Sequence, residues 1–161
     1  MIKFNKHSGI YTLEATQELP ISLEEAWEFF TSPANLTRIT PKHMGFEITS
    51  GYHGKTYAGQ IITYKVSPLP GIRMSWVTEI THVDPGKYFV DEQRYGPYSM
   101  WHHEHIFKPV EGGVLMTDRV SYKIPLGILG HIAQNLFVRR QLKDVFSYRN
   151  NVLDQIFPPK D

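Results

Sequence analysis

From Ile10 to Leu19 β-forming residues recur with partial alternation of apolar and polar positions, which predicts a strand that Pro20 ends. Ser22 with Glu25 three residues on is a capping-box pattern, and it opens a short helix carrying Ala26, Trp27, Phe29 and Phe30 on an apolar face. Ser32-Pro33 starts a second helical turn through Ala34, Leu36 and Ile39, closed by Thr40-Pro41. The pattern then changes period. Residues 45–50, 59–67, 72–84, 87–95, 99–110 and 113–124 each read as strands. Their links, Gly51–Gly54, Pro68–Gly71, Asp84-Pro85-Gly86, Gly96-Pro97 and Glu111-Gly112-Gly113, are short turns, so sequential strands should pair antiparallel.

The last segment, from about Gly127 to Phe157, returns to helical spacing. Val138, Leu142, Val145, Phe146, Arg149, Val152, Leu153 and Ile156 share a stripe, with Arg139, Arg140, Lys143 and Asp144 largely opposite. Pro125 sets a break before it and Pro158-Pro159 stops it. A helix of about 30 residues at 1.5 Å each spans roughly 45 Å, enough to cross a whole sheet. The expected architecture is one α+β domain over residues 1–161: a curved, seven-stranded antiparallel sheet wrapped around a long C-terminal helix, with two short helices between strands one and two.

Composition removes several classes of function. The chain of 161 residues has no cysteine, which excludes thiolate catalysis, disulfides and cysteine metal sites and fits a cytoplasmic location. A net charge of +1 offers no field for nucleic acid or anionic lipid, and no apolar run approaches a membrane span. Met1 to Leu19 lacks the apolar core of a signal peptide. Gly51-Tyr52-His53-Gly54-Lys55-Thr56 fails as a phosphate loop, because its glycines are too close and no helix follows. No nucleophile elbow or dinucleotide fingerprint is present, and no cofactor is expected. Nine Tyr, nine Phe and three Trp suit either a wide core or the wall of an apolar pocket.

Period-2 alternation puts Trp101, His103, His105 and Phe107 on one face of their strand, and burial of the aromatics turns that face inward. Met116, Asp118, Val120 and Tyr122 share a face on the next strand; Phe89, Asp91, Gln93 and Tyr95 on the preceding one; Met74, Trp76, Thr78 and Ile80 before that. The inner wall is then aromatic, with Asp91, Gln93, His103, His105 and Asp118 as polar points that each need a partner. Three readings compete: mutual satisfaction that fixes strand register, recognition of the polar end of a bound molecule, or a His–Asp acid/base pair with His103, His105 and Asp118 as candidates. His103-Glu104-His105 also has the spacing of two strand ligands to a metal, with Asp118 or Asp91 as a third; a structural histidine pair is the reading adopted, and no metal is expected. Pro125 to Gly130 reads as a loop-to-helix junction or as a gate, its glycines allowing movement and Leu126 and Leu129 closing over a ligand.

Several blocks together resemble a known superfamily. Phe89–Pro97, Trp101–Phe107 and Thr117–Tyr122, with Pro125-Leu126-Gly127 and Phe146–Arg149, are similar to the START-like, helix-grip proteins related to the birch-pollen allergen, and within them to a bacterial polyketide cyclase/dehydrase-like subgroup. The resemblance covers nearly the whole chain. It implies a ligand-binding fold whose members hold lipids, hormones, polyketides or quinones, a minority being enzymes. The expected function is binding of a small, largely apolar or aromatic molecule by a monomer or weak homodimer. Met74, Trp76, Phe89, Asp91, Gln93, Trp101, His103, His105, Phe107, Met116, Asp118, Tyr122 and Leu129 are its expected contacts. A cyclase or dehydratase and a non-catalytic interaction module are the alternatives.

Overall fold

The computed structural model describes residues 1–50, 54–69, 71–125, 127 and 134–159, with the backbone alone at Leu69, Gln134 and Asn135. The Gly51–Gly54 and Pro68–Gly71 links, the Pro125–Gly130 junction with Leu129, and the first part of the predicted C-terminal helix lie wholly or partly outside the described residues.

Eight strands form one antiparallel sheet in the order β1-β2-β8-β7-β6-β5-β4-β3. They are β1 (Ile2–His7), β2 (Ile10–Leu19), β3 (Glu47–Ser50), β4 (Ile61–Leu69), β5 (Ile72–Asp84), β6 (Tyr88–Tyr95), β7 (Met100–Val110) and β8 (Gly113–Lys123). The seven expected strands are all present to within a few residues, and β1 is an addition. It pairs with β2 through a two-residue turn whose Ser8 and Gly9 both have positive φ, 50° and 80°, the left-handed pair that matches strand twist in a tight hairpin. Serine carries a Cβ there and signals such a turn weakly, so the sequence pattern does not predict β1.

Between β2 and β3 lie α1 (Leu23–Phe30), α2 (Pro33–Leu36) and a 3₁₀ turn at Lys42–Met44. The capping box at α1 is complete: the Glu25 amide donates to the Ser22 hydroxyl at 3.1 Å, and the Ser22 amide donates to the Glu25 carboxylate at 2.9 Å. Register shifts in β3–β4, β4–β5 and twice in β5–β6 bend that half of the sheet. A π-helical turn, Gln134–Val138, leads into α3 (Arg139–Ile156). Its 18 residues span about 27 Å. Leu142, Phe146, Arg149 and Leu153 form its buried stripe against the sheet's inner face.

Three apolar clusters result. Leu19, Phe89, Phe107 and Met116 pack with α1 and Leu153. Tyr11, Leu13, Val120 and Tyr122 pack with Leu142 and Phe146. Ile62, Tyr64, Val66 and Ile80 form the third on the bulged strands. Each fully buried aliphatic side chain contributes about 1.5–3 kcal/mol relative to exposure, so these clusters set the grip of sheet on helix.

Candidate functional site

The three clusters do not close on each other. A cavity of about 220 Å³ remains among α1, α2, the inner face of β4 to β7, and α3. Phe30, Ile39, Phe46, Ile62, Val66, Ile80, Leu142 and Phe146 supply apolar wall, and Trp76, Tyr98 and Trp101 an aromatic side. Trp76 and Trp101 meet edge to face with centroids 5.2 Å apart, and Tyr98 tilts against Trp101 at 4.8 Å. A second depression, about 410 Å³, lies around Met1, Gln17, Leu115 and Asp154 and holds none of the predicted contacts.

The polar part of the wall belongs to a set of five interlocked groups, four of them lining the cavity and Asp118 behind. Alternation along β7 points His103 and His105 inward, 7% and 6% exposed, and antiparallel pairing places Asp91 of β6 opposite His103 and Asp118 of β8 opposite His105. Asp118 Oδ1 is 2.9 Å from His103 Nε2 and 3.0 Å from His105 Nδ1. Asp91 Oδ2 is 2.8 Å from His105 Nε2 and 3.4 Å from His103 Nδ1. Arg149, one helix away and 5% exposed, brings Nη1 to 3.2 Å from Asp118 Oδ1. Its guanidinium lies over the rings of Phe30 and Phe146, 5.2 and 5.8 Å from their centroids. The His105 ring is held between Phe89, stacked at 4.1 Å and 13°, and His103 at 3.8 Å.

Burial opposes ionisation of Asp118, yet Arg149 and the two histidine rings beside it outweigh burial and hold the carboxyl well below its ordinary range. Asp91 is likewise lowered against the cost of burial, by His103 and then His105. Burial, then the neighbouring His105, lowers His103 and keeps its ring neutral. Burial pulls on His105 too, but the Asp118 and Asp91 carboxylates beside its ring raise it above the ordinary imidazole value. Two anionic carboxylates are thus set against the Arg149 guanidinium and two imidazoles. That balance lets five polar groups sit inside an apolar core. Tyr98 and Tyr64 are pushed up by burial, Tyr64 also by Asp91, and both stay as phenols. Within the charge set, two buried atoms lack hydrogen bonds among the described residues: His105 Nδ1, close to Asp118 but off line, and Arg149 Nε.

Of the predicted contacts, Trp76, Phe89, Asp91, Trp101, His103 and His105 line the cavity. Asp118 lies behind the histidines and outside the wall, within the charge set. Phe107 is covered by Trp27 and Phe30. Met116 sits under Arg149, with Sδ 3.9 Å from Nη2, and Tyr122 packs on Tyr11, Tyr98 and Trp101. Met74 is part of the cluster on the bulged strands. Gln93 faces the β6–β7 link: its Nε2 donates to the Tyr98 carbonyl at 2.6 Å and its Oε1 accepts from the Tyr98 amide at 3.2 Å. It therefore positions Tyr98 without itself forming wall. Tyr95, expected to face inward, is 66% exposed, because the register shift between Val77 and Thr78 turns the end of β6 outward. Leu129 lies outside the described residues.

The expected contacts omit the wall supplied by α1, α2, β4 and α3, and with it Arg149, and they omit Tyr98. Arg149 sits on the apolar stripe of α3, where a lone charged residue is itself a signal of a buried partner. Tyr98 follows a Gly-Pro turn, a position that reads only as loop.

The sequence profile described as "Polyketide cyclase / dehydrase and lipid transport" matches residues 19–146. The chain belongs to this family. No protein of curated function matches it. Solved structures share the fold at low identity. A protein from Thermus thermophilus is 13% identical with a TM-score of 0.68, covering 89% of this chain and 94% of that one. Ginseng major latex-like protein 151 from Panax ginseng is 15% identical with a TM-score of 0.68, over 94% and 100%. Ara h 8.0201 is 15% identical with a TM-score of 0.56, over 91% and 99%. This member of the polyketide cyclase / dehydrase family thus has the helix-grip arrangement of its neighbours, with eight strands. None of its described helices is long and apolar enough to cross a membrane.

Proposed function

We propose that this protein binds a one- or two-ring aromatic molecule, with the rings among Trp76, Tyr98, Trp101, Phe146 and the aliphatic wall and a hydroxyl or carbonyl turned to Asp91, His103 and His105. The observation that carries it is the apolar cavity of about 220 Å³ with those three polar side chains gathered in its wall. An engineered apolar cavity of about 150 Å³ holds benzene, so this one has room for somewhat more than a single ring. It falls short of the roughly 300 Å³ at which drug-sized sites begin, which favours a compact ligand over a long acyl chain. Family membership supports small-molecule binding, and the absence of cysteine and the low net charge fit action in the cytoplasm without nucleic acid; the proposed state is a monomer or weak homodimer.

Native mass spectrometry of the chain mixed with indole, 2-naphthol and a long-chain fatty acid tests this. One molecule of 2-naphthol or indole retained per chain is expected. Retention of the fatty acid alone, or of nothing, would sink the proposal.

A second reading is acid–base catalysis of an aldol-type cyclisation or dehydration, with the imidazoles as proton carriers. It is favoured by both rings belonging to the cavity wall, so that a bound carbonyl would lie against them. Conversion of a ring-bearing poly-β-ketone by the wild type, lost in His103→Gln with binding retained, would establish it.

A further inference from the structure

We propose that Asp91, His103 and His105 form a site for one divalent transition-metal ion of the zinc type, with the ion's remaining coordination positions turned to the cavity. This goes beyond the binding of an apolar molecule and does not depend on it. It also reverses the expectation from the sequence, where two histidines at i and i+2 lacked a placed third ligand.

The ring nitrogens point in two directions only. Each histidine has one nitrogen near Asp118 Oδ1: His103 Nε2, hydrogen-bonded at 2.9 Å, and His105 Nδ1, at 3.0 Å but off line. Each directs the other at Asp91 Oδ2: His105 Nε2 at 2.8 Å and His103 Nδ1 at 3.4 Å. With a metal ion in place of the proton that His105 Nε2 shares with Asp91, the lone pairs of His103 Nδ1 and His105 Nε2 and the Asp91 carboxylate would meet at one place. Three acceptors converging on a point need a cation between them. A proton satisfies one pair; a metal ion satisfies all three.

The spacing fits. One donor atom from each of the three residues lies within 4.8 Å of the others. Zinc–nitrogen and zinc–oxygen bonds of about 2.0–2.2 Å at tetrahedral angles set ligand atoms roughly 3.3 Å apart. The two separations to Asp91 Oδ2, 2.8 and 3.4 Å, bracket that value, so small side-chain movements would admit the ion. The surroundings fit as well. Metal-bound histidines commonly give their remote N–H to a carboxylate, and Asp118, which does not line the cavity, stands in that place for His103 and lies beside Nδ1 of His105, while Arg149 neutralises it. Asp91, His103 and His105 do line the cavity, so further ligands would come from that side. Two imidazoles and a single carboxylate disfavour magnesium and calcium, which take oxygen donors, and the chain has no thiolate for softer ions.

The test uses Co²⁺ and Zn²⁺ with the full chain. Co²⁺ is expected to produce intense visible d–d bands that saturate at one ion per chain and are displaced by Zn²⁺. Asp91→Asn and His105→Gln should each weaken binding at least tenfold, whereas His102→Gln, on the opposite face of β7 beside Glu92, should not. Should the buried variants fail to fold, NMR of the wild type decides: Co²⁺ must shift or broaden the ring signals of His103 and His105 before those of His7, His43, His82 and His102. Absence of a stoichiometric bound ion would overturn the assignment. So would d–d bands that survive intact in folded Asp91→Asn, or broadening that begins at the surface histidines.

Discussion

Arg149→Met isolates the charge that crosses from helix to sheet. The side chain is 5% exposed, and its guanidinium Nη1 is 3.2 Å from Asp118 Oδ1, also 5% exposed. Methionine keeps most of the apolar stem between Phe30 and Phe146, so the loss is chiefly electrostatic. Asp118 would be left anionic against the two imidazoles alone, without its guanidinium partner, in a core that cannot solvate it. Removing one member of a buried ion pair typically costs about 3–5 kcal/mol. For a chain of this size about 1 kcal/mol moves Tm by roughly 2–4 °C, so a fall of about 6–20 °C is expected. Urea unfolding at neutral pH measures the free energy, and the double variant Arg149→Met/Asp118→Asn completes a cycle. Asparagine still accepts from His103 Nε2 without the charge, so the pair should lose at least about 1.5 kcal/mol less than the summed single losses. A loss below about 1 kcal/mol for Arg149→Met, or additivity within about 0.5 kcal/mol, would refute the view that Arg149 is there to balance Asp118.

Other expectations are simpler. Because the Asp118 carboxyl is lowered in the fold, its stabilisation is complete above the ordinary aspartate value near 3.9 and is lost as pH falls below it, so urea midpoints of the wild type should drop more steeply in acid than those of Asp118→Asn. Equal slopes would contradict this. Gln93→Leu removes both hydrogen bonds to the Tyr98 backbone and should cost about 1–3 kcal/mol, with a change in tryptophan fluorescence as Tyr98 shifts against Trp76 and Trp101; an unchanged spectrum would count against its bracing role. Gly113→Ala would drive a Cβ into the Leu19 carbonyl oxygen, so thermal unfolding should show a clearly larger loss than for Gly112→Asn on the same turn, where a Cβ meets nothing.

How far the site could be read from the chain depends on the reach of each signal. Strand period is local, so the shared faces of His103, His105 and Phe107 on β7, and of Met116, Asp118 and Tyr122 on β8, follow from alternation, and burial of the aromatics turns them inward. What covers that face is not local. Phe107, Met116 and Tyr122 face inward as read, but α1, Arg149 and the aromatic group around Tyr98 fill the space over them, and the cavity begins only at β4 to β7. Tyr95 left the inner face through a bulge that no periodicity announces. β1 hid behind a turn made by serine instead of asparagine. Arg149 was within reach of sequence reasoning, since a cation on an apolar stripe implies a buried anion, although choosing Asp118 from the available carboxylates required the register of three strands.

The claim that the interior cavity takes an aromatic ring is tested most directly by calorimetric titration of 2-naphthol into the wild type and into Val66→Phe. Val66 is 6% exposed on β4 and lines the cavity away from the charge cluster, so phenylalanine there should fill space without touching Asp91, His103 or His105. With both proteins folded by thermal unfolding, the account predicts one-to-one binding by the wild type and at least tenfold weaker binding by the variant. Equal affinities, or no heat of binding in the wild type, would contradict it.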